Sequence, residues 1–183
     1  MRIILVLGML LLAFHAKATP INGFDTVPAP QSERNFLARV GEVGVTVEAK
    51  ASELVANAML FLGVPYKRGG ASASTGFDCS GFVRTIYEQT AGLVLPRSAV
   101  QQAAAAEKID RKDLQPGDLV FFNTMRRAYS HVGIYIGNGE FVHAPKPGAK
   151  VRVESMSLKY WSRRFDGARR VPVESETPAA ANF

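Results

Sequence analysis

The chain has 183 residues, of which 47% are hydrophobic and 21% are charged, a composition that suits one globular domain and excludes bulk disorder and a polytopic membrane protein. Its formal net charge is +6 at pH 7. The basic residues are scattered and form no stripe with aromatic residues, so no nucleic-acid partner is expected. A mildly basic protein instead favours anionic surfaces such as cell-wall polymers or lipid head groups.

The N-terminal stretch MRIILVLGMLLLAFHAKA, residues 1–18, combines a basic start at Arg2, an apolar run and the small-residue pattern Ala16-Lys17-Ala18. This pattern predicts a secretory signal peptide, and an uncleaved membrane anchor is the alternative. Its removal would take away Arg2 and Lys17, leaving a net charge of +6 − 2 = +4. No cysteine follows the apolar run, so we expect an exported, periplasmic or secreted protein with no lipid anchor and no integral membrane segment after signal removal.

The remaining chain divides by composition. Residues 19–30 are rich in proline and small residues, and residues 31–46 show no clear period, so we predict that 19–46 is a linker or a poorly defined segment. A folded domain is predicted over residues 47–173, followed by a flexible tail over 174–183. No internal repeat is present.

The first predicted helix starts at Val47, where apolar residues begin to recur at steps of three and four, and continues to Leu62. Gly63 is expected to end it. The following stretch VPYKRGGASASTGF, residues 64–77, is dense in glycine and serine and is predicted to be a loop.

Two further helices are predicted before the strands begin. One opens near Asp78–Ser80 and runs to about Thr90. The next follows Ser98, which together with Gln101 has the spacing of a capping box ahead of an alanine run that extends to Ala106.

The second half of the chain changes from helical to strand-like periodicity. Its candidate strands lie in the stretches DLVFFN, HVGIYIG, EFVHAP, KVRVESM and FDGARRV. The dipeptide Asn138-Gly139 between the second and third of these is a strong hairpin signal. Helices first and strands second predict an α+β fold, with N-terminal helices packed on an antiparallel sheet of about five strands.

The only cysteine, Cys79, lies at the predicted start of the second helix, and an unpaired thiol in an exported protein is either reactive or a buried core residue. A helix N-terminus and a nearby imidazole can lower a thiol pKa from ~8.5 to about 3.5–7.5. Outside the signal the chain has two histidines, His131 and His143, and both fall on the predicted hairpin. The three residues could serve as nucleophile, base and orienting group.

Other interpretations of these residues remain open. Each histidine could be a strand-end residue with a satisfied hydrogen bond. Cys79, His131 and His143 could also bind zinc, although structural zinc sites normally have four ligands at shorter spacings. Nucleophilic catalysis by these residues would need neither a metal nor a cofactor.

The hairpin sets a geometric condition on the two histidines. In a regular ladder closed by a two-residue turn, His143 would pair with Ile134, and His131 would then point to the opposite face of the sheet. A shift of the register by one residue places His143 opposite Gly133 and brings both rings to one face. We therefore predict either a three-residue loop, Gly137 to Gly139, or a β-bulge.

Five stretches of the chain together resemble the NlpC-type family of cell-wall cysteine peptidases: GVPYKRGG, GFDCSGFV, LPRSAVQQ, DLQPGDLVFF and SHVGIYIGNGEFVHAP. They occur in the family's order and cover about residues 50–172. The resemblance implies a papain-like fold with the nucleophile at a helix N-terminus. It also implies hydrolysis of peptide bonds in the peptidoglycan stem, typically between D-γ-glutamate and a diamino acid.

Matched to the family pattern, Cys79 corresponds to the nucleophile, His131 to the general base and His143 to the residue that orients the base. Tyr66 corresponds to a tyrosine whose hydroxyl lies beside the nucleophile and assists the oxyanion. A packed aromatic residue is the alternative for Tyr66.

Three more residues are candidates for substrate binding. Asp78 and Ser80 match positions that contact the free amine of the stem peptide in some members, and helix capping is the alternative for Asp78. Arg97 could bind a substrate carboxylate, or it could be a solvated surface residue.

Other functions are compatible with the same residues. The chain could be an amidase, an acyltransferase or a lipid-directed hydrolase, the last of which predicts a broad apolar rim around Cys79. A non-catalytic wall-binding module would be insensitive to Cys79→Ala. Residues 19–46 are too few for an ordinary wall-binding domain, so targeting is assigned to the catalytic domain, its charge or a partner protein.

Overall fold

A computed structural model of the chain describes residues 48–172. The predictions made for residues 1–46 and 174–183 lie outside the described residues. The described helices are α1 (residues 48–59), α2 (Cys79–Ala91), α3 (Ala99–Ala105) and α4 (Lys159–Ser162), with a short 3₁₀ turn at Arg111–Asp113. The strands are β1 (Ala71–Ser72), β2 (Gly76–Phe77), β3 (Glu107–Ile109), β4 (Leu119–Phe122), β5 (His131–Gly137), β6 (Glu140–His143), β7 (Arg152–Ser155) and β8 (Phe165–Arg170).

Helix α2 begins and ends where the sequence predicts. The side chain of Asp78 caps its N-terminus by accepting a hydrogen bond from the backbone N–H of Gly81 at 2.8 Å. Gly92 ends it in the left-handed conformation, with φ of 67°. The buried face of α2 includes Phe82 and Ile86.

The other two predicted helices are also present. Both bonds of the capping box between Ser98 and Gln101 form at the start of α3, which confirms that prediction. Helix α1 ends at residue 59, four residues before Gly63, and the intervening residues form turns. Gly63 has φ of 86°, and its N–H donates to the backbone carbonyl of Val151 at 2.9 Å.

The main sheet has six antiparallel strands in the order β3-β8-β4-β5-β6-β7, and β1 pairs with β2 in a separate two-stranded sheet. The antiparallel sheet that the sequence predicts, with about five strands expected, is therefore present and has six. Strand β3 has three residues, β1 and β2 have two each, and α4 has four. Segments this short contain too few residues to show a period, which is why β1 and β2 lie inside a stretch predicted to be a loop.

The β5–β6 hairpin contains the predicted shift of register. Gly137 pairs with Glu140 around a two-residue turn, but Ile134 pairs with Val142, so Ile136 is an extra residue on β5. The shift arises from a β-bulge and not from a three-residue loop. Asn138 and Gly139 both have positive φ, 52° and 74°, as a turn matched to the twist of the strands requires.

Both faces of the main sheet are buried. Helices α1 and α2 pack on one face, where Leu54 and Ile86 meet Val132 and other strand residues in the larger core cluster. The opposite face carries a smaller cluster formed by Val120, Phe122, Phe141, Met156 and Trp161. His131 pairs with Phe122 across β4 and β5, so its side chain lies on the same face as Trp161. None of the helices within residues 48–172 has the length and apolar character needed to cross a membrane.

Candidate active site

Cys79 is the first residue of α2 and is partly exposed. It lines a cavity of about 440 Å³ that His131 also lines. The backbone N–H groups of Val132, Ser80 and Cys79 itself approach the sulfur closely enough to favour its thiolate. The structure thus brings the thiol and one imidazole to the same opening.

The protonation of Cys79 differs from the expectation. Burial raises the pKa of the thiol above its ordinary value, and the negative charge of Asp78 raises it further. The nearby backbone N–H groups lower the pKa, but burial and the carboxylate together outweigh them. The sequence indicated the helix N-terminus but did not indicate how far the sulfur is withdrawn from water.

His131 and His143 form a buried, hydrogen-bonded pair. Nε2 of His131 lies 2.7 Å from Nδ1 of His143, and the two residues are 4% and 0% exposed. The indole of Trp161 stacks on the His131 ring at a centroid distance of 5.5 Å. Burial, together with the neighbouring His143, lowers the pKa of His131 to about 3, so both rings are neutral at pH 7. The register shift at Ile136 is what places the two rings on one face.

A glutamate that the sequence analysis did not identify contacts this pair. Oε2 of Glu154, on β7, lies 2.7 Å from Nε2 of His143 and accepts a second bond from Arg152 Nη2 at 3.1 Å. The hydrogen bond from His143 is the main reason that the pKa of Glu154 falls to about 2. The alternation in KVRVESM places Arg152 and Glu154 on one face, but it does not reveal that this strand pairs with β6.

Tyr66 borders the thiol. It lines the cavity shared by Cys79 and His131, and also a second cavity of about 510 Å³ on the α3 side of Cys79. Burial raises the pKa of its hydroxyl, and negative charge on Cys79 and Asp78 acts in the same direction. A neutral hydroxyl beside the sulfur can donate a hydrogen bond.

Asp78, Ser80 and Arg97 form one hydrogen-bonded group in that second cavity. Arg97 Nη1 donates to Asp78 Oδ1 and to Ser80 Oγ, both at 3.0 Å, and Arg97 Nη2 donates to Asp78 Oδ2. Asp78 Oδ2 also accepts from the backbone N–H of Gly69 at 2.9 Å. Arg97 is therefore an ion-pair partner of Asp78 rather than a freely solvated residue, and Asp78 also caps α2.

Apolar side chains surround the mouth of the cavity that Cys79 and His131 share. Met125 is 60% exposed, and Leu158 and Tyr160 are each 49% exposed. Arg68, Lys146 and other charged residues lie among them. Within residues 48–172, no group of three or more histidine, cysteine or acidic side chains is arranged to hold a metal ion.

A sheet flanked by helices, with a cysteine at a helix N-terminus facing a strand histidine, is the architecture of papain-like proteins. The NlpC/P60 family matches residues 63–170, which is more than half of the chain. The chain belongs to the NlpC/P60 family.

Curated relatives carry names that describe cell-wall or glutamyl hydrolysis. The chain is 42% identical over 126 residues to the murein DD-endopeptidase MepH of Escherichia coli, an alignment that covers 67% of this chain and 46% of the relative. It is 44% identical over 118 residues to the gamma-DL-glutamyl hydrolase of Bacillus subtilis, covering 64% of this chain and 28% of that protein. The aligned region thus spans less than half the length of these two relatives.

Solved structures agree with this assignment. A crystal structure of an NlpC/P60 family protein from Bacillus cereus shares 37% identity at a TM-score of 0.61, covering 66% of this chain and 39% of that one. The NlpC/p60 domain of the peptidoglycan hydrolase SagA shares 37% identity at a TM-score of 0.59, covering 66% of this chain and 98% of the domain. The fold is therefore papain-like, as the resemblance to the family implies.

Proposed function

We propose that this protein is a cysteine peptidase that hydrolyses peptide bonds in the peptidoglycan stem, between D-γ-glutamate and a diamino acid. The proposal rests on the cavity that Cys79 and His131 share and on the hydrogen bond of His143, whose Nδ1 lies 2.7 Å from His131 Nε2. Membership of the NlpC/P60 family and the names of the relatives support the substrate class.

The proposed reaction is acyl transfer through Cys79. His131 accepts the proton of the thiol as the sulfur attacks the amide carbonyl, which forms a C–S bond and a tetrahedral oxyanion. When the C–N bond breaks, the protonated His131 returns that proton to the leaving amine. Water, deprotonated by His131, then hydrolyses the thioester and releases the acid and the free thiol.

Groups around the sulfur fit the remaining tasks. The backbone N–H of Cys79 at the start of α2 is proposed to stabilise the oxyanion, with the Tyr66 hydroxyl as a second donor. Asp78 and Ser80 are proposed to contact the stem-peptide amine, and Arg97 a carboxylate. Because Arg97 already donates hydrogen bonds to both Asp78 and Ser80, a substrate amine would share the Asp78 carboxylate with the Arg97 guanidinium.

The exposed apolar rim formed by Met125, Leu158 and Tyr160 favours a second candidate, a lipid-directed hydrolase using the same thiol. The cationic residues among them fit an anionic head group as well as a peptidoglycan carboxylate. Acyl release from anionic phospholipid vesicles, in the absence of any cleavage of peptidoglycan, would favour this candidate.

The decisive experiment is digestion of defined muropeptides by the wild-type protein and by Cys79→Ala, with the products read by mass spectrometry. We expect wild type to release fragments that end at D-γ-glutamate. Cys79→Ala should lose activity by several orders of magnitude while remaining folded. Equal cleavage by both proteins would remove Cys79 from the mechanism, and absence of cleavage by wild type would contradict the proposed substrate.

A further inference from the structure

Glu154 is connected to the proposed base through a single intervening ring. Its Oε2 lies 2.7 Å from His143 Nε2, and the other nitrogen of that ring, Nδ1, lies 2.7 Å from His131 Nε2. His143 is fully buried, whereas the Glu154 side chain is 19% exposed. The three side chains therefore form one continuous row of hydrogen bonds that runs across β5, β6 and β7.

The donor and acceptor properties of Glu154, His143 and His131 determine which ring nitrogens carry a hydrogen. An ionised carboxylate can only accept, so His143 Nε2 must carry the hydrogen that it shares with Glu154. A neutral imidazole has one N–H, which leaves His143 Nδ1 as an acceptor. His131 Nε2 must then donate to it, so the neutral His131 ring has no hydrogen on Nδ1.

We propose that Glu154 is a positioning residue that acts through His143 to hold His131 in the tautomer whose Nδ1 is free to take the thiol proton. In the opposite tautomer Nδ1 would already carry a hydrogen, and proton transfer from Cys79 to that nitrogen would be blocked. The inference rests on the proposed function, because it assigns the base to His131.

The charge of Glu154 has a second consequence. When Nδ1 accepts the thiol proton, His131 becomes a cation, and a carboxylate one ring away favours that charge. The carboxylate stays ionised over the whole working range, because its pKa is about 2. The charged and titratable groups around it are His131, His143, Arg152, Lys146, Arg68 and Tyr160. Arg152 touches the same oxygen and offsets part of its charge, although it is 45% exposed to solvent.

The test is Glu154→Gln, which has nearly the same shape but no charge and presents an N–H₂ donor as well as an acceptor. A donor facing His143 Nε2 would reverse the direction of every hydrogen bond in the row. We expect kcat to fall by roughly 10- to 100-fold, as on loss of the groups that orient histidines in other sites, with KM within about twofold. The matched control is Glu140→Gln, an exposed glutamate of β6, which should change neither constant.

A second readout does not require activity. Proton-coupled ¹⁵N spectra distinguish protonated from unprotonated imidazole nitrogens, and in wild type we expect hydrogen on Nε2 of both His131 and His143. Glu154→Gln should show a mixture of tautomers or the reversed one. Hydrogen on His131 Nδ1 in wild type would overturn the inference, whether or not the variant folds. Unchanged tautomers or unchanged kcat in Glu154→Gln would also overturn it. A protein that shows the expected tautomers but cleaves no peptidoglycan would instead contradict the proposed function.

Discussion

Cys79 and His131 are both neutral before substrate arrives, because burial disfavours the charged form of each group. Burial raises the pKa of the thiol and lowers the pKa of the imidazole, so a preformed thiolate–imidazolium pair is disfavoured. In the proposed reaction, proton transfer is then coupled to attack on the carbonyl, and the proposed oxyanion donors compensate the charge that appears. If the thiol is neutral until attack, the proposed base His131 is expected to accelerate the reaction by about 10²- to 10⁴-fold, as a positioned general base does.

The thiol can be titrated directly, because Cys79 is the only cysteine of the chain. We expect the rate of alkylation by iodoacetamide to be low at pH 6 and to keep rising beyond pH 9, because only the thiolate reacts and burial raises the pKa of this thiol. The measurement is the mass increase of the intact protein as a function of pH and time. A rate that reaches its plateau below pH 7 would show a preformed ion pair and contradict this assignment.

Asp78 performs a structural task whatever its role with substrate. It caps α2, pairs with Arg97 and accepts from Gly69 N–H, so it holds together three segments of the chain. The capping could be predicted from the sequence because it depends on near neighbours. The pairing with Arg97, 19 residues away, could not, because no local period relates the two positions.

At the scale of elements, the β5–β6 hairpin decides whether the site exists. A bulge at Ile136 places His143 opposite Gly133 rather than Ile134, and the absence of a side chain on Gly133 allows the close approach. A Cβ at Gly133 would lie 2.7 Å from Cδ2 of Phe141 and 3.1 Å from Cβ of His143. Glycine at this position therefore leaves room for His143 and Phe141 to pack against β5.

Gly133→Ala should consequently damage both stability and catalysis. We expect a loss of about 1–3 kcal/mol in the free energy of unfolding, as is usual for overpacking, together with a lower kcat because His143 is displaced. Urea unfolding and steady-state kinetics measure the two effects.

Gly139→Ala provides the matched control in the same hairpin. Gly139 has φ of 74° but no atom within 4 Å of an added Cβ, so the cost there is backbone strain of about 1–2 kcal/mol. The Gly139→Ala molecules that are folded should have the same kcat as wild type. An equal fall in kcat for both variants would mean that hairpin stability, not the space at Gly133, controls the site.

The elements that the sequence revealed are those with enough residues to show a period. Helix α2, the capping box of α3 and strands β4 to β8 follow from spacing, and the requirement that both histidines share one face predicted the register shift. Glu154 and Trp161 were not found, because their contact with the histidines depends on which strands pair and on where a four-residue helix packs. Strand pairing and helix packing are features of the tertiary structure, and no local sequence pattern predicts them.

At the scale of the whole molecule, the buried imidazoles link the site to acid stability. The pKa of His131 is about 3 in the folded protein and 6.5 ordinarily, so the unfolded chain binds a proton at a higher pH than the folded one. Stability therefore rises with pH in this interval and is lost as the pH falls from 6.5 toward 3. Protonation of Glu154 also lowers stability, but over a lower pH range, because its pKa falls from the ordinary 4.5 to about 2 in the folded protein.

We therefore expect the Tm of wild type to fall progressively as the pH is lowered from 6.5 to 4.5, before Glu154 contributes. In His131→Asn, which cannot bind a proton at this position, the fall over that interval should be shallower. Thermal unfolding followed by circular dichroism at a series of pH values measures both slopes. Parallel slopes for the two proteins would assign the acid sensitivity to other groups.

The last described strand, β8, does not lie at the edge of the sheet but between β3 and β4, so it donates and accepts ladder bonds on both sides. A nascent chain consequently contains Cys79, His131 and His143 before the ribosome has added the strand that joins β3 to the rest of the sheet. Until residues 165–170 emerge, β3 has no strand with which to pair, so the six-stranded sheet is completed only after Cys79, His131 and His143 have been synthesised.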